Sequence, residues 1–423
     1  MIRRVILSVL VTVIFHELNI HCFSSGCRPA PKVLILSLDG FRADYLSPDL
    51  TPFLYSLSRK GSVGTRMKPM FVTKTFPNHL SIATGLYEES HGMIANNFYD
   101  PVFKETFDYN NTESRWWDNG VGLPIWIANE VVASRDYCPR YSGVLEWPGG
   151  GSQYSNHLPQ YHRVTSIFSV PSLPETFDQG LEWAKNPKKP ANLLVLYHNQ
   201  PDFKSHDFGP FSSEVKSLVR EIDRNVKDFY HQLDRSGLLQ GLNMLIISDH
   251  GLGEVPRKNL VILSQVVDPS LYFVSGDPPI YGINPKPGQA DKVYQKLKEF
   301  SRKGSIRVYK KYEIPEMFHY RNNRRVMPII VMAEEGYGLC KNEADARRRY
   351  YMPIFGEHGY DNRAPSMRPL FIAVGPAFRE GFVYKEEFEN IDIYPLLCKL
   401  LDISTDKLHF NGTLSRIKTI LKE

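Results

Sequence analysis

The chain has 423 residues, of which 42% are hydrophobic, and its net charge at pH 7 is +5. A chain of this length can bury one large or two medium cores, and so mild a charge gives no reason to expect a nucleic-acid-binding domain. The most concentrated basic stretch, Arg347-Arg348-Arg349, is typical of a solvated helix face.

The first residues have the pattern of a secretory signal peptide. Arg3 and Arg4 precede an apolar run at 5–15, and small residues follow at 24–26. Eleven residues are too few to cross a bilayer of about 30 Å comfortably, and no later run is long enough to span a membrane. We therefore expect a signal peptide at 1–24 and a secreted protein. An uncleaved signal anchor, or an anchor in a missing C-terminal tail, stays open.

Short apolar runs alternate with segments of helical spacing along the rest of the chain. Strands are predicted at 33–38, 193–197, 244–248, 329–332 and 370–374, and helices at 51–61, 213–236 and 290–302. This alternation predicts an α/β fold with a mainly parallel central sheet and helices on both faces. We expect one catalytic domain at 30–402, an insertion near the active site at about 97–170, and a C-terminal tail at 403–423.

Cysteine usage and two sequons agree with a secretory route. Once Cys22 leaves with the signal, the remaining cysteines are Cys27, Cys138, Cys340 and Cys398. Four cysteines allow three pairings, and the sequence does not choose among them. Asn110 and Asn411 each stand two residues before a threonine and are candidate glycosylation sites.

Metal-ligand side chains recur in five separated segments, most of which follow predicted strands. The candidates are Asp39, Thr75, Asp202, His206, Asp249, His250 and His358. Parallel α/β sheets bind ligands outside the carboxyl ends of their strands, so these side chains can converge. Any single histidine is more often structural, but together the candidates supply the mixture of N and O ligands that zinc accepts. The sequence therefore predicts a metallohydrolase.

Thr75 has two interpretations. Pro77 suits the first turn of a helix, which puts Thr75 at or just before the N-cap, where a threonine usually serves as an ordinary cap. The same position faces the anion site that a helix N-terminus creates. A threonine hydroxyl becomes a competent nucleophile only when a metal stabilises its alkoxide.

Ordered motifs over about 33–401 give this chain a specific family resemblance. They lie at 38–42, 73–79, 84–92, 124–126, 147–149, 201–210, 248–251 and 356–362, and include Asp39-Gly40-Phe41-Arg42 and Thr75-Phe76-Pro77-Asn78-His79. The chain resembles the ecto-nucleotide pyrophosphatase/phosphodiesterases of the alkaline phosphatase superfamily, in their short form with a single catalytic domain. The resemblance implies an alkaline phosphatase-like fold.

The resemblance also implies a site with two Zn²⁺ ions. Asp202, His206 and His358 would hold one ion, and Asp39, Asp249, His250 and the Thr75 oxygen the other. Thr75 would attack phosphorus and form a nucleotidyl-threonine intermediate. Asn96 matches an asparagine that hydrogen-bonds a phosphoryl oxygen. Phe76 matches an aromatic residue that stacks on the nucleobase, and Phe168 and Tyr161 are candidates for a second one.

Two positions depart from the family pattern, because Gln200 precedes Pro201 and Ser205 precedes His206. Neither is a ligand. The activity expected is hydrolysis of nucleotide phosphodiester or pyrophosphate bonds, with a small-molecule nucleotide as the partner and nucleoside 5′-monophosphates as products. The alternatives are cleavage of choline-bearing lysophospholipids at the same metals and an inactive binding protein. The sequence does not indicate the oligomeric state.

Overall fold

The structure, a computed structural model, describes residues 27–132, 136–166 and 168–423. The signal peptide expected at 1–24 lies outside these ranges. None of the helices within them is both long and apolar enough to cross a membrane.

The central sheet has eight strands, and five of its seven neighbouring pairs are parallel. In spatial order the strands are Phe382–Tyr384, Ser62–Gly64, Phe371–Val374, Leu242–Ile247, Lys32–Leu38, Leu193–His198, Ser142–Leu145 and Tyr161–Arg163. The prediction of an α/β fold around a mainly parallel sheet is therefore confirmed.

Both faces of this sheet are buried. Neighbouring side chains on its inner strands point to opposite faces, and each face lies under its own apolar cluster. Val33 and Ile35 belong to one apolar cluster, whereas Leu34 and Leu36 belong to another. Helices Thr75–Thr84, Ile125–Val131 and Ile393–Leu400 contribute to the first cluster, and helices Pro52–Ser58, Leu173–Ala184 and Ser213–Arg235 to the second. Coverage on two faces explains why the strands are continuous apolar runs.

The longest helix illustrates how local sequence sets an element's bounds. Ser213–Arg235 begins after Ser212, whose hydroxyl accepts a hydrogen bond from the backbone amide of Val215. It ends before Gly237, which has φ +70°. Its buried residues recur at helical spacing, so one stripe packs on the sheet.

The strand predicted at 329–332 forms, but in a second sheet. This sheet is antiparallel, with the order Tyr272–Ser275, Ile280–Pro285, Ile329–Ala333 and Ile306–Lys310. Helix Ala290–Ser301 packs against it through buried Val293 and Leu297. Shorter strands pair as Met67–Lys68 with Phe388–Glu389, Phe98–Asp100 with Glu105–Phe107, Gly253–Pro256 with Ile354–Glu357, and Leu260–Ile262 with Gly338–Cys340. Further short helices are Glu88–His91, Ser114–Trp117, Asp202–Phe208, Leu263–Val266 and Glu343–Arg349.

The stretch at 97–170 is only partly an insertion. Its first part, which includes the hairpin of Phe98–Asp100 and Glu105–Phe107, lies outside the central sheet. Ser142–Leu145 and Tyr161–Arg163, by contrast, form one edge of that sheet. A disulfide bond between Cys27 and Cys138 ties this stretch to the residues before the first strand. Cys340 and Cys398 are free and buried.

The segment at 403–423 also differs from the expected tail. Ile417 and Ile420 are buried in the same cluster as helix Ile393–Leu400. The backbone amides of Asn411 and Gly412 donate to the carbonyl of Gly85, at 2.8 and 3.1 Å. The segment is therefore packed on the domain.

Candidate active site

Three aspartates approach one another because the strands that precede them are neighbours. The strand that ends at Leu38 lies between two parallel strands, so all three reach the same edge of the sheet. Asp39 directly follows the middle strand, and Asp202 and Asp249 follow the outer two. The backbone amide of Asp202 donates to the carbonyl of Asp39 at 3.1 Å, which joins two of these loops.

Gly40 permits this close approach. It has φ +63°, and a Cβ atom there would lie 2.9 Å from Cβ of Asp202. An L side chain at this position would therefore be strained and would clash with a ligand candidate.

Asp39, Asp249 and His250 form a first group, here termed the first cage, whose ligand atoms lie within 4.8 Å of one another. Nε2 of His250 lies 3.5 Å from Oδ1 of Asp39 and 3.0 Å from Oδ2 of Asp249. Oγ1 of Thr75 lies 3.4 Å from the same nitrogen. The threonine hydroxyl therefore borders this cage.

The predicted set of Asp202, His206 and His358, here termed the second cage, also lies close together. Its ligand atoms fall into two overlapping groups, Asp202 with His250 and His358, and His206 with Glu357 and His358. Helix Asp202–Phe208 places Asp202 and His206 one turn apart, with Nε2 of His206 3.3 Å from Oδ2 of Asp202. Nε2 of His358 lies 3.7 Å from Oδ1 of the same carboxylate. The rings of His250 and His358 stack with centroids 3.7 Å apart, so the two cages adjoin.

The three cage histidines share one hydrogen-bonding arrangement. Each Nδ1 contacts a backbone carbonyl: Gly356 for His206 at 3.0 Å, Gly251 for His250 at 2.9 Å, and Thr73 for His358 at 2.7 Å. Because a carbonyl oxygen can only accept, each Nδ1 carries a proton, so in the neutral ring Nε2 is the atom that has the lone pair for a metal. Histidines that bind metal are held in this way by the partner of their second nitrogen.

The aspartates carry buried oxygens that lack a hydrogen-bond partner among the described residues: Oδ1 of Asp39, Oδ1 of Asp202 and Oδ2 of Asp249. Burial, and then the charges of Asp249 and Asp202, raise the pKa of Asp39 well above its ordinary value. Buried carboxylates that repel one another are unfavourable unless a cation compensates them. This donor set therefore fits divalent cations.

Thr75 is the first residue of helix Thr75–Thr84, and the N-cap is Lys74, whose side chain makes no capping bond. The position of Thr75 thus differs from that of a capping threonine. Its hydroxyl contacts His250, and it lines the same cleft as Asp39 and Asp202. The helix N-terminus adds positive potential where a phosphoryl group would sit.

Asn96 and Phe76 lie beside Thr75. Oδ1 of Asn96 accepts a 2.8 Å hydrogen bond from the backbone amide of Phe76, and the Asn96 side chain lines the cleft. The Phe76 ring is buried and lines an adjoining pocket. Tyr109 packs on it with ring centroids 5.7 Å apart, and lines both spaces. Sequence reasoning missed Tyr109, which lies on an irregular segment without periodicity.

Phe168 and Tyr161, the two candidates for a second aromatic residue that stacks on the nucleobase, lie in different parts of the structure. Phe168 lines the cleft, with its ring 5.6 Å from that of Tyr109. Tyr161 does not: its ring stacks on Trp183 at 5.6 Å, and its hydroxyl donates to the carbonyl of Lys189. The assignment of Tyr161 is corrected here, because its strand forms the outer edge of the central sheet and its side chain packs against the face opposite Thr75.

Lys74 and Glu357, each next to a ligand candidate in sequence, were also missed. Nζ of Lys74 lies 3.7 Å from Oε1 of Glu357, and both side chains are buried. The hydroxyl of Tyr350 donates to Oε2 of Glu357 at 2.7 Å. Since Glu357 has these partners, it holds the loop of His358 in position. Adjacency to a predicted ligand was the only sequence signal for either residue.

Comparison with known proteins agrees with this site. The family described as type I phosphodiesterase / nucleotide pyrophosphatase matches residues 33–361. Bis(5'-adenosyl)-triphosphatase ENPP4 of Homo sapiens is 38% identical over 405 residues, which cover 94% of this chain and 83% of that protein. Ectonucleotide pyrophosphatase/phosphodiesterase family member 5 of Homo sapiens is 34% identical over 415 residues, with 97% and 82% covered.

Solved structures give the same result. Murine ectonucleotide pyrophosphatase/phosphodiesterase 5 superposes with a TM-score of 0.83 at 34% identity, covering 92% of this chain and all of that one. An inactive variant of that protein, with one threonine changed to alanine and in complex with AMP, gives a TM-score of 0.84 at 33% identity, covering 93% of this chain and 100% of that chain.

The fold and the clustered donors define the class as an alkaline phosphatase-like α/β hydrolase. Within that class, the chain belongs to the type I phosphodiesterase/nucleotide pyrophosphatase family, and the expected family membership is confirmed. It is a nucleotide pyrophosphatase/phosphodiesterase.

Proposed function

We propose that the enzyme uses two Zn²⁺ ions to hydrolyse phosphodiester and pyrophosphate bonds of nucleotides through a nucleotidyl intermediate on Thr75. Nucleoside 5′-monophosphates are the products. The observation that carries the proposal is the orientation of the three cage histidines. Each Nδ1 donates to a backbone carbonyl, each Nε2 faces a buried carboxylate, and the Thr75 hydroxyl borders the same space.

Asp202, His206 and His358 would hold one ion, and Asp39, Asp249 and His250, with the Thr75 oxygen, the other. Mixed N and O sets of this kind suit zinc. When bound, the ions supply Lewis acidity that lowers the pKa of an attacking hydroxyl and stabilises negative charge on phosphoryl and leaving oxygens.

The chain's own residues then have distinct tasks. Oγ1 of Thr75 forms a bond to phosphorus while the bond from phosphorus to the leaving oxygen breaks, and water later releases the nucleotide and restores the hydroxyl. Asn96 is oriented by the Phe76 amide, so its amide nitrogen serves as a donor to a nonbridging oxygen. Phe76, Tyr109 and Phe168 supply aromatic surface for the nucleobase.

Nucleotide substrates are supported by the relatives. One is named as a bis(5'-adenosyl)-triphosphatase, and another binds AMP as an inactive threonine-to-alanine variant. AMP is a nucleoside 5′-monophosphate, the class of product proposed here. These names do not favour the lysophospholipid alternative.

A paired assay tests the proposal. Purified enzyme is given p-nitrophenyl thymidine 5′-monophosphate or p-nitrophenylphosphorylcholine, and products are identified by mass. We expect turnover of the first substrate with release of thymidine 5′-monophosphate. Turnover of the choline ester alone would replace the proposed function by the lysophospholipid alternative.

The cellular route is part of the same proposal. Removal of residues 1–24 would deliver a secreted glycoprotein with the Cys27–Cys138 disulfide. Asn110 and Asn411 are both exposed, as acceptors of a glycan must be. Mass analysis of protein from the culture medium, before and after glycan removal, checks the cleavage position and both acceptors.

A further inference from the structure

The basic stretch Arg347-Arg348-Arg349 is exposed, as expected of a solvated helix face, but its three members do not all face the same space. It forms the last turn of helix Glu343–Arg349. Arg348 and Arg349 line the cleft of about 490 Å³ that contains Thr75 and the second cage, whereas Arg347 is not among its lining residues. Neighbouring residues of like charge therefore differ in their access to substrate.

This helix is fixed in place beside the second cage. Oδ1 of Asp345 pairs with Nη2 of Arg348 at 3.0 Å and with Nε of Arg349 at 2.9 Å. Tyr350, the next residue, donates to Glu357, which directly precedes His358. The arginines are thus connected by a short chain of contacts to a ligand candidate.

Arg348 and Arg349 are separate from the pocket beside Phe76, where the nucleobase is proposed to lie. Phe76 lines a pocket that contains no cage residue and meets the cleft at Tyr109. Arg348 and Arg349 do not line that pocket. A nucleotide whose base lies beside Phe76 and whose phosphorus lies at Thr75 would direct its leaving group into the arginine-lined part of the cleft.

We propose that Arg348 and Arg349 bind the phosphate oxygens of the leaving group, so that the enzyme favours substrates with further phosphates beyond the scissile bond. This inference rests on the proposed function. Guanidinium groups suit the task because they stay charged and donate two parallel hydrogen bonds to a phosphate. Each arginine uses one side of its guanidinium for Asp345 and keeps further N–H donors.

The negative charge of Asp277 should act against this preference for leaving groups that carry phosphates. Asp277 is buried, it lines the same cleft, and its Oδ1 has no hydrogen-bond partner among the described residues. The positive charges of Lys74 and Arg349 act on it. A negative carboxylate at this place repels a polyphosphate, so its removal should change the preference in the direction opposite to loss of the arginines.

A purely structural role for the arginines makes a different prediction. Basic residues in the last turn complement the helix dipole, and these two arginines also compensate the buried carboxylate of Asp345. In that case, substitution would affect all substrates alike.

The test compares two substrates with the same transferred group: thymidine 5′-triphosphate and p-nitrophenyl thymidine 5′-monophosphate. Their leaving groups are pyrophosphate and nitrophenolate. The variants are Arg348→Gln with Arg349→Gln, the matched control Arg347→Gln, and Asp277→Asn. For the double variant we expect kcat/KM to fall about 100-fold on the triphosphate and to stay within about threefold on the nitrophenyl ester.

Arg347→Gln should match the wild type on both substrates, and Asp277→Asn should raise kcat/KM on the triphosphate a few-fold (about 2 to 5). Added salt should depress triphosphate turnover more in the wild type than in the double variant. Equal losses on both substrates, or no loss on the triphosphate, would overturn this inference while leaving the proposed function intact. A wild-type enzyme inactive on both nucleotides would overturn the two together.

Discussion

The hydroxyl of Tyr197 donates a 2.6 Å hydrogen bond to Oδ2 of Asp39. This bond occupies one carboxylate oxygen and leaves Oδ1, which faces Nε2 of His250 at 3.5 Å. Tyr197 is fully buried in the strand Leu193–His198. A buried tyrosine in one strand therefore orients Asp39, the ligand candidate that follows the neighbouring strand Lys32–Leu38.

Tyr197→Phe should weaken zinc binding by roughly 10- to 100-fold, since it removes a hydrogen bond that orients a ligand and keeps the packed ring. Competition titration against a chromophoric chelator measures the affinity. Tyr161→Phe is the matched control, because its hydroxyl bonds the Lys189 carbonyl away from the cleft. Unchanged zinc affinity in Tyr197→Phe would show that the hydrogen bond does not position Asp39.

Thr75→Ala should lower kcat by at least about 1000-fold, because alanine has no hydroxyl to act as the nucleophile. Thr75→Ser keeps a hydroxyl and should retain measurable turnover. Acid quenching followed by intact-protein mass analysis should detect a nucleoside monophosphate adduct on the wild type and none on Thr75→Ala. An alanine variant with the wild-type rate would reject the assignment of the nucleophile.

Removal of metal should silence the enzyme and also weaken the fold. Without cations, buried carboxylates of Asp39, Asp202 and Asp249 face one another unbalanced, so the free energy of unfolding should fall. We expect two zinc ions per chain by elemental analysis, loss of turnover and a lower melting temperature in chelator, and recovery of both with Zn²⁺. Full activity in a preparation verified as metal-free would contradict the two-metal site.

The pH dependence of stability should report on Asp277. Burial raises the pKa of this carboxyl from 3.8 to about 6. Between these values the folded chain keeps a proton that the unfolded chain has released, so the contribution of Asp277 to stability falls as pH rises from about 4 to about 6. At pH 7.5, Asp277→Asn should therefore be more stable than the wild type, by on the order of 1–3 kcal/mol.

Urea denaturation in the same chelating buffer at pH 4 and 7.5 measures this difference, which should shrink at the lower pH. Asp291→Asn, with its side chain 93% exposed, is the control and should show no such change. A difference that is equal at both pH values would mean that Asp277 does not titrate in this range.

The elements that the sequence predicted correctly are those long enough to show a period. Continuous apolar runs identified the strands Lys32–Leu38, Leu193–His198 and Leu242–Ile247, and one helical stripe identified Ser213–Arg235. A strand of three residues such as Tyr161–Arg163 is too short for that signal. The antiparallel sheet was not separated from the central one because a buried strand has the same pattern in either.

The residues of the site also divide into those that the sequence pattern could predict and those that it could not. Asp39, Asp202 and Asp249 could be placed because a parallel sheet brings strand ends to one edge. Tyr197 could not, since it reads as an ordinary core residue inside an apolar run. Tyr109 lies on an irregular segment, and Arg349 ends a helix of seven residues, so local sequence does not determine where either side chain lies in the fold.

The last residues of the chain brace the helix that carries Thr75. Gly85 ends that helix, and its carbonyl accepts from the amides of Asn411 and Gly412. A shortened version that stopped at residue 402 would lose these two hydrogen bonds. It would also expose the apolar side chains that Ile417 covers in the full chain. The helix that begins at Thr75 would then be held less firmly at its C-terminal end. We therefore expect an active enzyme to need residues well past the last motif at 356–362.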